Sequence, residues 1–342
     1  MPKYVIHIGP SKTGSKYLQS MLYLSRETLL ANGINYPENW WTQPYHITHD
    51  PLFRLLRNKK YAEVQEPLRQ LNSSGCRMVV LSCEGFADLS PQEFEVLRDG
   101  IDGNPIEIVY YCRRWSERIP SDWKQSVQMG MFATLPEFYV NCIRHAFYSG
   151  SVNYSLIWSC IASIFGRKSL KLVSYSNLRD QKIDLFRHFT SNFLQWDGEI
   201  TVRKDLVMDQ ASANIFDTEI LRALNWIDYQ NVGRHRWNMR IKFSIMRSEI
   251  DTRILDELMA DDLGTIELSD GAEAFRLSWR EMNKYADCLV PKTFFRNRVF
   301  ELRAASIQYV RGNYLLKARA SSDLLSLYKR LDETPCDAPG LT

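Results

Sequence analysis

The residues best suited to chemistry lie early in the chain, in His7-Ile8-Gly9-Pro10-Ser11-Lys12-Thr13-Gly14-Ser15-Lys16-Tyr17-Leu18. An apolar run, Tyr4–Ile8, leads into a loop with two glycines and one lysine, and a helical pattern starts at Ser15. This strand–loop–helix step makes a cradle for an anion. The first turn of a helix carries main-chain N–H groups without intrahelical acceptors and a partial positive charge, and glycines let the backbone close on the ligand. The loop departs from the nucleotide-binding pattern G-x-x-x-x-G-K-[ST], because Gly14 is followed by Ser15 and Lys16 while Lys12 precedes the glycine. A kinase needs its lysine after that glycine to reach the terminal phosphates. A nucleotide or small-molecule kinase, using ATP and Mg2+, is therefore a secondary reading.

Three more groups could act with the loop. Glu84 follows the apolar run Met78–Cys83, which puts a carboxylate at the carboxyl edge of a sheet, where α/β folds form their sites. His46 and His49 lie in or just after the aromatic segment Trp40-Trp41-Thr42-Gln43-Pro44-Tyr45-His46, and each is a candidate base or hydrogen-bond donor. His7, inside the first strand, reads as a packed core histidine. Metal chemistry has no motif here: there is no HExxH and no CxxC. The seven cysteines (76, 83, 112, 142, 160, 288, 336) are odd in number and widely spaced, which suits buried thiols in a reducing cytoplasm.

The elements that must hold these groups are legible as four apolar runs, Tyr4–Ile8, Met78–Ser82, Ile106–Tyr111 and Leu170–Tyr175. Continuous rather than alternating runs indicate strands buried on both faces, hence a parallel sheet flanked by helices. Helical spacing at 15–32 and 181–194 completes the strand–helix alternation of an α/β doubly wound fold. Beyond residue 200 the strand signal fades. Residues 212–258 and 270–288 read as helical, and 296–331 as a long amphipathic helix with a break near Gly312. The organisation expected is a catalytic domain over 1–290, with its sheet core at about 3–200 and a helical portion at 201–290, then a basic amphipathic helical extension over 291–342.

Composition narrows the class. Of 342 residues, 45% are hydrophobic and 24% charged, which excludes collagen-like, disordered and low-complexity chains. The net charge is only +3, and residues 291–320 hold seven Lys or Arg side chains against Glu301 alone. With the body of the chain nearly neutral, a nucleic-acid-coating protein is not expected. The most apolar stretch, Leu156–Phe165, is too short to span a bilayer. A chain that runs from Met1 straight into a strand is expected to be soluble and cytoplasmic.

Pro10-x-Lys12-Thr13-Gly14-Ser15 with Leu18 resembles the phosphosulfate loop of sulfotransferases that use 3′-phosphoadenosine 5′-phosphosulfate (PAPS), with Lys16 where that family usually has a hydroxyl residue. A second match is Ile106–Cys112 followed by Arg113, with Ser121 eight residues on, which is similar to the family's 3′-phosphate element. There Arg113 would fork onto a phosphate and Ser121, at a helix start, would add a hydroxyl. A softer third match is Lys171–Leu178 followed by Phe186, Phe189 and Phe193. The opening His7-Ile8-Gly9-Pro10 and Gly33-Ile34-Asn35-Tyr36-Pro37 look most like bacterial carbohydrate-type members. The resemblance implies a P-loop-like fold, PAPS as donor, adenosine 3′,5′-bisphosphate as product and no metal. It makes Lys12 the group that stabilises the leaving oxygen, with Glu84 the candidate base and His46 and His49 its rivals. Thr13, Gly14, Ser15, Lys16, Tyr17, Arg203 and Lys204 join Lys12, Arg113 and Ser121 as donor-binding candidates.

The acceptor implied is a hydroxyl of a carbohydrate or glycoconjugate, stacked on Trp40, Trp41, Tyr45, Trp115 and Trp123. A lipid or small-molecule alcohol is the alternative within the same chemistry. A non-catalytic scaffold or membrane-surface protein is the alternative outside it. Residues 292–331 would mediate peripheral contact with an anionic membrane, at its inner face, or a homodimer.

Overall fold

The computed structural model describes residues 1–41, 47–198, 214–232, 239, 242–244, 247, 251–290 and 302–333. The chain divides into two compact units, and each has its own core.

The first unit comprises Met1–Arg114, Ala146–Gln210 and Phe275–Glu301. Its centre is a five-stranded parallel sheet of β1 (Lys3–His7), β2 (Ile34–Asn35), β3 (Met78–Ser82), β4 (Ile106–Cys112) and β5 (Leu170–Ser174), in the order β2-β3-β1-β4-β5. Every residue of β3 and all but the first of β1 are buried, as continuous apolar runs require. The connections are helical: α1 (Ser15–Leu24), α2 (Arg26–Ala31), α3 (Asp50–Arg57), α4 (Tyr61–Asn72), α5 (Pro91–Ile101), α8 (Ser155–Phe165), α9 (Tyr175–Asp180) and α10 (Leu185–Phe189). The single helix expected over 15–32 is two, because Ser25, at φ −98° and ψ 0°, leaves helical geometry between α1 and α2. Val5, Val80, Val109 and Val173 from four strands pack with Leu18 and Leu22 of α1 and Phe186 and Phe189 of α10. From β1 the chain moves to β2 on one side, and later crosses from β3 over β1 to β4 on the other. The carboxyl end of β1 is thus where α/β sheets place their ligands.

The second unit comprises Trp115–His145, Ala211–Ala274 and Leu302–Thr342. It contains α6 (Trp115–Gln128), α7 (Leu135–Arg144), α11 (Ile215–Val232), the helices Arg253–Ala260 and Ala318–Glu333, and an antiparallel pair, β6 (Leu263–Ser269) with β7 (Ala304–Val310). Thr134 and Glu137 cap the start of α7 reciprocally. The long helix read over 296–331 is corrected here. Residues 304–310 form a strand, Gly312 turns the chain with φ +94°, a 3-10 turn spans Asn313–Leu316, and α-helix begins at Ala318. The stretch Ala304–Val310 alternates exposed and half-buried residues along the strand, and its Ile307, Tyr309 and Val310 favour a pleated surface. Val310, Tyr314, Leu324, Leu327 and Leu331 pack into the core of this unit with Trp123, Ile220 and Leu224. The apolar side of residues 304–331 is therefore spent inside the unit, and basic side chains such as Arg311 and Arg319 remain outside. No helix among the described residues is long and apolar enough to cross a membrane.

Candidate functional site

The groups singled out in the loop, at Glu84 and at Arg113 converge within the first unit, at the carboxyl ends of the adjacent strands β3, β1 and β4. After β1, Ile8 N–H donates to Val109 O at 3.1 Å and Tyr111 N–H to Gly9 O at 3.1 Å, so β4 carries the loop base. Gly9 has φ +89°, and a Cβ there would stand 3.1 Å from the Glu84 Cα. Only glycine lets the loop pass this close to the end of β3. Lys12 holds a left-handed φ of 67°, and Gly14, at φ 77°, caps α1. A Cβ on Gly14 would lie 2.7 Å from Leu185 and 3.2 Å from the Tyr175 ring. Thr13 is buried and donates its hydroxyl to Pro10 O at 2.6 Å, so it shapes the loop rather than facing a ligand. The first turn of α1 contains no acidic residue, and its Ser15 Oγ is buried with no hydrogen-bond partner. Both features suit an anion at this helix end.

Arg113 follows β4 and donates from Nη1 to Lys12 O at 2.7 Å, with its guanidinium 5.8 Å from the Tyr175 ring centre. A non-glycine residue in left-handed geometry is strained, and this bond holds the loop at that point. The neighbouring Arg114 has a different role. It is 1% exposed and bonds Asn177 at 2.5 Å and Asp180 at 2.7 Å, fastening the end of β4 to α9.

Glu84 begins a short 3-10 turn, Glu84–Asp88. Its carboxylate accepts from Gln19 Nε2 at 3.2 Å, and the same amide donates to Ser82 Oγ at 3.2 Å. Ser82 Oγ lies 2.8 Å from Nδ1 of His7, which is fully buried and held neutral, its pKa lowered to about 3 by burial. Glu84 is therefore oriented from the core, by Gln19 of α1 and, through Ser82, by His7 of β1. His49 is corrected as a base. It is fully buried, Ser82 N–H donates to its Nδ1 at 3.0 Å, and its Nε2 lies 3.1 Å from Pro37 O. With both ring nitrogens used, and a pKa lowered to about 4 by burial, it fastens β3 to the segment after β2.

The aromatic acceptor mouth is corrected too. Trp115 and Trp123 are buried, 0% and 1% exposed, and Trp123 packs in the core of the second unit. Trp40 is buried, and Trp41 packs against Tyr23 and Tyr36 at 5.3 and 5.4 Å. Tyr17 is half-buried against the core of the first unit, and its hydroxyl donates to Asp184 at 2.5 Å. Ser121 is the seventh residue of α6, just after Pro120. The helix begins at Trp115, so the Ser121 hydroxyl is not beside the unpaired N–H groups of a helix start, as had been expected. Lys16 is exposed on α1. Tyr45, His46, Arg203 and Lys204 lie outside the described residues. No cluster of His, Cys, Asp or Glu suited to a metal ion occurs among the described residues.

Sequence reasoning missed Gln19 and Tyr175 as parts of this site. Gln19 carried a usable signal, as a polar residue beside Leu18 on the core side of α1. No protein-family model matches the chain, and no curated protein matches it.

Proposed function

We propose that the chain is a PAPS-dependent sulfotransferase of P-loop-like fold. The observation that carries this reading is the meeting of the Lys12 loop, Glu84 and Arg113 at one sheet edge, with the Arg113 guanidinium bonded to Lys12 O. The chemistry of this set fits a ligand with two anionic ends. The N–H groups of the first turn of α1, with Lys12 and Ser15, would hold the phosphosulfate, and Arg113 would take the 3′-phosphate. The donor supplies the sulfuryl group.

Each protein group then has a defined task. Lys12 offsets negative charge on the oxygen that parts from sulfur, a contact of the kind worth about 3–4 kcal/mol in a transition state. Glu84 takes the proton of the acceptor hydroxyl as its oxygen bonds to sulfur, and Gln19 holds the carboxylate for that transfer. The 3′-phosphate is left to Arg113, without Ser121. The acceptor class we assign is a carbohydrate or glycoconjugate hydroxyl. The test is transfer of 35S from labelled PAPS to a mixture of oligosaccharides. Lys12→Ala should lower it by two to three powers of ten, whereas transfer unchanged by that substitution would remove the proposal.

A further inference from the structure

The second unit carries an open cavity of about 760 Å³, lined from α7, α11 and the turn before α7. One wall is Trp226, 45% exposed on α11. Phe132 meets its ring edge-on, with centroids 5.0 Å apart at 68°. Val140, 44% exposed, lines the same space. A tryptophan and a valine left open together in one concave site are an apolar surface awaiting a partner.

Thr134, Glu137, Asn141, Arg144 and Arg222 add polar groups to a lining that is otherwise apolar, and these select the partner. Asn141 and Arg144 are exposed on α7, and neither makes a hydrogen bond or ion pair with another described residue. Glu137, one turn earlier, receives the Thr134 N–H and hydroxyl, at 2.7 and 2.8 Å, on Oε2 alone. A planar amide, a guanidinium and a carboxylate thus share a cavity with an indole. We propose that this cavity binds the pyranose ring of a saccharide.

A pyranose has a C–H face that lies on an indole, and a rim of hydroxyls that both donate and accept. Asn141 can donate and accept, Arg144 donates, and Glu137 accepts. A hydrocarbon chain would leave these three facing apolar groups. A simple anion would gain from Arg144 but meet the charge of Glu137. The volume is in the range of small-ligand sites. This binding is a property of the second unit alone, so it stands or falls separately from the donor chemistry assigned to the first.

Saturation-transfer NMR on the full chain tests it, with methyl β-D-glucopyranoside, methyl β-D-galactopyranoside and N-acetyl-D-glucosamine as probes and naphthalene-2-sulfonate as the apolar comparison. At least one sugar should saturate through its ring C–H protons. Trp226→Ala should lower that signal at least fivefold, Trp226→Phe should keep half or more of it, and Asn141→Ala should lower it two- to threefold. Thermal melts of each variant establish that it is folded, which the exposure of Trp226 favours. The proposal is overturned if no sugar saturates, if Trp226→Ala leaves the signal unchanged, or if only naphthalene-2-sulfonate saturates. Binding of adenosine 3′,5′-bisphosphate, measured in parallel, bears on the first unit only.

Discussion

The two units use their buried polar groups in opposite ways. In the second, the most deeply buried charges are paired within the structure, although Asp256 Oδ1 is buried without a hydrogen-bond partner. Glu219 takes bonds from Arg222 at 2.7 and 2.5 Å, Arg222 also reaches Phe132 O, and the Tyr314 hydroxyl completes the set. Asp270 likewise accepts from Ser116 N–H, Ser116 Oγ and Arg303 N–H. In the first, buried polar atoms near the sheet stay unpaired, among them His7 Nε2, Ser15 Oγ, the Tyr111 hydroxyl, Ser174 Oγ and both ring nitrogens of His188. Leaving such atoms unpaired costs free energy, and folds concentrate that cost where they act. On the proposed reading, the chemistry belongs to the first unit, beside polar groups that packing alone does not explain.

The sharpest way to break this contrast is to unpair the second unit. Glu219→Ala strands Arg222, 7% exposed, without its carboxylate and should cost about 3–5 kcal/mol of stability. Replacing both by apolar residues should cost much less. Thermal melts of the single and double variants check this. A single variant that melts with the wild type would show that the pair does not hold the unit together.

Acid should act on the first unit instead. Burial lowers His49 and His188 from 6.5 to about 4, and His7 to about 3. The unfolded chain therefore binds these protons first as pH falls. Their stability contribution is complete above about pH 6.5 and is lost on acidification, at about 1.4 kcal/mol per pH unit for each histidine until its folded value is reached. Melts at pH 7, 5.5 and 4.5 should show the loss, and His188→Phe should make the dependence shallower. An equal slope in the variant would detach the acid response from this histidine.

The smallest effect expected is at Gln19. Gln19→Leu removes the bond to Glu84 and should lower sulfuryl transfer by about 1 kcal/mol, a few-fold in rate, with bisphosphate affinity within twofold of wild type. A matching loss of bisphosphate affinity would mean that Gln19 supports the loop and not the carboxylate.

How legible each part was follows from the same physics. The runs at 4–8, 78–82, 106–111 and 170–175 became β1, β3, β4 and β5 almost to the residue, because strands covered on both faces must be apolar throughout. Leu263–Ser269 and Ala304–Val310 are half-exposed and mix apolar with polar residues, and that weaker pattern left the first unassigned and the second read as helix. Lys12, Glu84 and Arg113 were legible as candidates because each lies in a segment that follows a strand of the parallel sheet. The aromatic mouth failed for the converse reason. Composition counts tryptophans without placing them, and Trp115 and Trp123 proved to be core while Trp226 stands open. His49 was visible as a histidine near an aromatic loop, but its two backbone partners, Ser82 and Pro37, are brought together only by the fold.

Calorimetric titration with adenosine 3′,5′-bisphosphate in the absence of metal, on the wild type and on Arg113→Ala, tests the central claim most directly. The account predicts binding by the wild type and a loss of affinity of about a hundredfold or more in the variant, as removal of a charged phosphate contact requires. Binding only of ATP with Mg2+, or bisphosphate binding indifferent to Arg113, would contradict it.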